Sequence, residues 1–168
     1  MAVEQRQAGS LLLHGVIGGV IAGIVFAMFE MVVAMVMGGS FFDPLRMIGS
    51  MALGSGALLP TYPLATAAIV GLVMHMMLSA IYGVIFVYLL AYTNQLAGST
   101  SLLLLYGSLV GLGLWIVNFL IIAPFVWPQF TMVNQFWMGF VAHTFFYGTV
   151  IGGYIAAVRP GEVGTPAR

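Results

Sequence analysis

The chain has 168 residues, 62% of them hydrophobic and 5% charged, with zero net charge, no lysine and no cysteine. A soluble domain carries about 25% charged residues to cover its surface, and four basic plus four acidic side chains are too few for that, so lipid must face most of the outside. The missing basic patch excludes nucleic-acid binding, which needs cations to neutralise phosphates, and the missing cysteine excludes disulfides, thiolate metal sites and thiol catalysis.

In chain order, the first apolar segment covers residues 11–38. It is too long for a signal-peptide core and no A-x-A cleavage pattern follows its early part, so it reads as a retained helix. Its Gly15, Gly19, Gly23 and Ala27 recur at every fourth residue and make one smooth stripe, along which another helix backbone can approach closely. His14 starts this segment and reads as an interfacial residue; Glu30 lies further along it.

Residues 39–63 form the longest connection. Asp43 and Pro44 predict a helix start, aspartate as N-cap and proline at the first helical position. Gly54 predicts its end, and Pro60 and Pro63 predict an extended stretch beyond it. The resulting helix, 43–53, is too short to span; it lies in the interface or forms a re-entrant hairpin lining a cavity.

Three further apolar segments follow at 64–92, 101–123 and 136–158. With the first, each exceeds the ~20 residues that cross a hydrocarbon core. None alternates as a porin strand does, and helix is the one state that leaves no backbone group bare in lipid. The last two connections are short and uncharged, and Trp127 and Trp137 suit an aromatic belt at headgroup level. Trp115, in mid-helix, reads as a packing residue, and the scattered methionines as lipid-facing filler.

An echo joins the segments. Gly19, Gly23 and Glu30 have the spacing of Gly107, Gly111 and Asn118, and Gly71-x-x-x-His75 has that of Gly139-x-x-x-His143. The expected architecture is all-α: a four-transmembrane-helix bundle of two tandem helical hairpins, plus one short interfacial helix in the first loop. Gly107 with Gly111 and Gly148 with Gly152 repeat the smooth stripe, so the bundle should be tight, with little internal volume. Arg6, Arg159 and Arg168 on the tails against Arg46 in the loop predict cytoplasmic termini.

Four polar residues fall within the spans: Glu30, His75, Asn118 and His143. A charge at mid-bilayer costs about 2.5–3.5 kcal/mol on insertion scales, so such residues are functional candidates. At a rise of about 1.5 Å per residue, all four sit in one outer-half layer, roughly 8–16 Å in from the loop side. Either they form a shared polar cluster, or each is satisfied singly by a neighbouring carbonyl or hydroxyl, with Ser79 and Tyr147, one turn beyond the histidines, available for that purpose.

The run 43–48 (Asp-Pro-Leu-Arg-Met-Ile), His75-x-x-x-Ser79-x-x-Tyr82-Gly83, Asn118-Phe119, Trp127-Pro128 and His143 resembles a group of small bacterial four-helix integral membrane proteins. The resemblance covers residues 40–150 and implies the four-helix fold and a bacterial inner membrane; the group has no established activity, so no substrate is implied.

No nucleotide loop, zinc-protease motif or nucleophile elbow occurs, and nothing predicts an enzyme. Three readings stand. The first is a non-enzymatic membrane component with no cofactor, whose glycine faces associate with another copy or with a larger membrane complex. The second is a proton-coupled carrier using Glu30, His75 and His143. The third is binding of a b-type haem by the two histidines, or of a divalent metal by His75, His143 and Glu30.

Overall fold

The computed structural model describes residues 2–93, 99–131 and 136–158, without the side chains of residues 2–8 and Phe136. Arg6, Arg159 and Arg168 fall outside this description, and with them the charge argument for orientation. All regular structure among the described residues is helical: α1 (Ala2–Val36), α2 (Asp43–Leu53), α3 (Leu64–Tyr92), α4 (Thr100–Val126) and α5 (residues 136–158). Of these, α1, α3, α4 and α5 are long and apolar enough to cross a membrane.

Large apolar side chains such as Val73 (61% exposed), Leu109 (57%) and Phe125 (86%) stand on their outer faces. Burying a side chain of this kind is worth about 1.5–3 kcal/mol, which water would forfeit and lipid supplies.

Two boundaries differ from expectation. Helix α1 begins well before its apolar run, and α4 runs past residue 123 to Val126. The second extension takes Pro124 into the helix. Proline has no N–H and its ring clashes with the carbonyl four residues back; α4 absorbs this by widening into π-helical turns over Ile116–Ile122. Helix α5 widens likewise over Ala142–Thr149, where the Thr149 hydroxyl bonds the Thr144 carbonyl five residues back.

Glycine sets how the spanning helices meet. Gly15, Gly19 and Gly23 of α1 lie directly on α3 at Gly83 and Ser79, where an added methyl would overlap backbone or side-chain atoms. Gly107 and Gly111 of α4 meet Gly148, Gly152 and the His143 carbonyl of α5 in the same way. Helix α1 also touches α5, through a His14 Nδ1 to Tyr154 hydroxyl bond of 3.1 Å and a Phe29–Phe146 stack with centroids 3.8 Å apart. His14 thus also bonds within the bundle. Between α3 and α4 the contacts run through long side chains: Tyr82 with Asn118, and Phe86 with Tyr106.

These glycine contacts all sit in the halves of the helices nearest the chain ends. Beyond Gly23 and Gly111 the facing residues are Phe26, Glu30, Leu114 and Phe119, which hold the helices apart, and the π-helical turns widen the gap. The expectation of little internal volume is therefore overturned: a cavity of about 1110 Å³ fills the loop-side half.

Helix α2 bounds that cavity. It starts at Asp43 with Pro44 in its first turn; Phe42, rather than Asp43, takes the cap position, and the Asp43 carboxylate accepts the Ser40 N–H at 2.7 Å. Gly54, at φ +80°, closes it. A 3-10 turn, Ser55–Leu58, replaces the extended stretch expected there. The helix does not stand apart from the bundle. Gly49 faces Gly71, with the Leu45 carbonyl against Gly71 and the Ala67 carbonyl against Gly49. One turn back along α2 thus matches one turn forward along α3, so the pair is antiparallel at the crossing. Gly71 is about 10 Å along α3 from Leu64 at helical rise.

Candidate functional site

The four polar residues singled out in the spans all line the cavity: Glu30 from α1, His75 from α3, Asn118 from α4 and His143 from α5. They share a wall without forming one hydrogen-bonded cluster, and each has a different attachment.

His75 is buried, and its Nε2 lies 2.8 Å from the Gly23 carbonyl. Gly23 lacks a side chain, which is what lets α1 lie against Ser79 of the same helix, α3, one turn beyond His75. His143 Nδ1 lies 2.8 Å from the Gly139 carbonyl, one turn back on its own helix. A carbonyl only accepts, so each of these nitrogens carries the proton. The other nitrogen of each ring, His75 Nδ1 and His143 Nε2, has no partner among the described residues and in the neutral ring is an acceptor.

Phe26 packs against both histidines, its ring centroid 5.2 Å from that of His75 and 4.8 Å from that of His143, and Phe119 packs on His143 at 5.5 Å. Each imidazole is thus satisfied by one backbone carbonyl. Ser79 and Tyr147 take no part in this: the Tyr147 hydroxyl crosses the bundle to donate to the Ser79 carbonyl at 2.6 Å. Asn118 Oδ1 accepts the Tyr82 hydroxyl at 3.0 Å.

Glu30 differs from all of these. Its carboxyl lines the cavity and makes no hydrogen bond or ion pair among the described residues. An acidic group taken from water without a partner is costly, and nothing in the packing of α1 requires one there.

Three features escaped the sequence reading. Arg46 served there only as an orientation signal, yet it lines the cavity. Its guanidinium donates to the Ala57 carbonyl at 2.8 Å and to the Leu59 carbonyl, fixing the chain after α2. Trp127, expected in an aromatic belt, also lines the cavity and donates its indole N–H to the Met51 carbonyl at 3.2 Å. Beside it Gln129 donates to the Ser50 hydroxyl at 3.1 Å. Together these two bonds tie α2 to the loop after α4. The signals were thin: one of four arginines in the chain, and a tryptophan next to proline.

For bound groups, no three histidine, cysteine or acidic side chains among the described residues come together in a way that would hold a metal ion. What the wall offers a small molecule is a broad apolar surface, a few aromatic faces, the Glu30 and Asp43 carboxyls, the Arg46 guanidinium and two imidazole acceptors, in a volume at the upper end of ligand sites. No known protein family, curated protein or solved structure matches this chain.

Proposed function

We propose that this chain is a small integral membrane carrier that takes a ligand into the loop-side cavity, with Glu30 as its titrating residue. One observation carries the reading. An apolar bundle keeps an unpartnered carboxyl on the wall of a cavity of about 1110 Å³, beside two histidines that each leave one nitrogen uncommitted. A residue of this kind inside a membrane span marks a substrate or proton path. The glycine-packed half acts as the closed side, and α2, held by Trp127 and Gln129, acts as the movable cover.

The reading has structural corollaries. Helix α2 is re-entrant in this reading, which its crossing with α3 at Gly71, about 10 Å along from Leu64, supports. The chain is two tandem hairpins, α1 with α3 and α4 with α5, each joined by its glycine faces, with both termini cytoplasmic. The self-associating component has less support, since the glycine faces are consumed within one chain. Haem or metal binding has less still, since Phe26 packs against both imidazoles and no third ligand joins them among the described residues.

The test uses proteoliposomes carrying a pH gradient and two probes that do not cross lipid unaided: an aryl-alkyl trimethylammonium and a sulfonate on the same body. One of them is expected to accumulate only in vesicles containing the protein and to stop doing so with Glu30→Gln. Entry of neither above empty vesicles, or entry that survives Glu30→Gln together with His75→Ala and His143→Ala, would overturn the proposal.

A further inference from the structure

We infer that the ligand of this cavity is an organic ammonium ion carried on an apolar body. The inference rests on the reading that the cavity holds a ligand, and it comes from a count of which hydrogen-bonding groups in the wall are already committed.

Apart from the Asn118 amide N–H groups, the Ser79 hydroxyl and the remaining Arg46 N–H groups, the donors of the wall are committed inward. The Tyr82 hydroxyl serves Asn118, the Tyr147 hydroxyl serves the Ser79 carbonyl, and the Trp127 indole serves the Met51 carbonyl. The Arg46 guanidinium is held by the Ala57 and Leu59 carbonyls. The acceptors are not. The Glu30 carboxyl, His75 Nδ1 and His143 Nε2 have no partner among the described residues, and each belongs to a residue of the wall. The charged residues lining the cavity are Glu30, Asp43 and Arg46, two carboxyls against one guanidinium, so the wall is net negative when both carboxyls are ionised. A ligand rich in donors and bearing positive charge complements this set; an anion would meet acceptors.

The remaining wall fits the same chemistry. Phe26, Phe119 and Phe130 stand in it beside Tyr82 and Trp127, and aromatic faces attract an ammonium through their quadrupoles. Methionine and leucine side chains, among them Met47, Met51, Leu78 and Met138, cover the rest and suit an apolar body. An ammonium group of this description is carried by a free amphiphilic amine or by the headgroup of an amine lipid.

The experiment is equilibrium binding to the purified full chain in dodecylmaltoside, with three probes sharing one body: 4-phenylbutylammonium, 4-phenylbutanol and 4-phenylbutyrate. The ammonium probe is expected to bind about tenfold more tightly than the alcohol, and the carboxylate least, in keeping with a charge-assisted bond to Glu30. Glu30→Gln should bring the ammonium probe level with the alcohol. Phe119→Leu should weaken the ammonium probe several-fold while leaving the alcohol within about twofold.

Displacement of the ammonium probe by phosphatidylethanolamine and not by phosphatidylglycerol supports an amine lipid as the source. Displacement by neither, with probe binding intact, supports a free amine. Alcohol or carboxylate binding as tight as the ammonium overturns the ligand class and leaves the cavity reading standing, whereas binding of none of the three overturns the cavity reading itself.

Discussion

Glu30 sets stability against use. A carboxyl without a partner in an apolar setting costs folding free energy, and an ionisable residue inside a membrane span marks a functional position. Glu30→Gln should therefore keep the fold and raise the melting temperature in detergent by about 2–4 °C, the shift that ~1 kcal/mol gives a chain of this size, while abolishing probe uptake. A melting temperature that falls with uptake retained would mark Glu30 as a structural residue. Glycines give a second test at this scale, because two on α4 sit in opposite surroundings. A methyl on Gly111 would overlap the His143 carbonyl, whereas one on Gly113 meets nothing within 4 Å. Gly111→Ala should cost about 1–3 kcal/mol through overpacking. Gly113→Ala should gain up to about 1 kcal/mol, the usual advantage of alanine in a helix. Thermal melts of the two variants side by side check this.

These residues were legible in the sequence to different degrees. Glu30, His75, Asn118 and His143 stood out because polar groups are rare in such spans, and helical rise placed them at one depth. Their attachments were not legible. That Phe26 packs against both histidines depends on how α1 rotates against α3 and α5, and a phenylalanine in an apolar helix carries no mark of that role.

At the scale of elements, the spans could be read because hydrophobicity and length alone dictate them, and their glycine spacings announced the smooth faces. The π-helical turns had one visible cause, Pro124; those in α5 had none. Helix α2 was visible from Asp43, Pro44 and Gly54, but its place was not, because Gly49 and Gly71 meet only once the chain has folded back. Its tether to Trp127 and Gln129 joins residues more than 70 positions apart. Replacing both anchors, with Trp127→Phe and Gln129→Leu, should loosen α2 without melting the bundle. Hydrogen exchange is expected to speed up across residues 43–53 by about tenfold or more, the loss of two bonds of ~1 kcal/mol each. Exchange in α1 and α3 near Gly19 and Gly83 should stay unchanged. Unaltered exchange in α2 would show that the tether contributes nothing.

For the whole molecule, the account comes down to an asymmetric bundle. Glycine faces close one half, large side chains and two widened helices open the other, and α2 covers the opening. Composition dictated lipid as the solvent, but the tight bundle expected from the glycine stripes was half right: the stripes stop short of the loop side, and what lies beyond them was never a packing surface. The chain has no native cysteine, so single cysteines can report on this directly. The decisive measurement is labelling by a membrane-impermeant maleimide in sealed vesicles of known orientation, comparing Leu78→Cys on the cavity wall with Val73→Cys on the outer face of the same helix. The account predicts that Leu78→Cys reacts from the loop side alone and that Val73→Cys reacts from neither. A Leu78→Cys that stays unlabelled, or that reacts no faster than Val73→Cys, would contradict it.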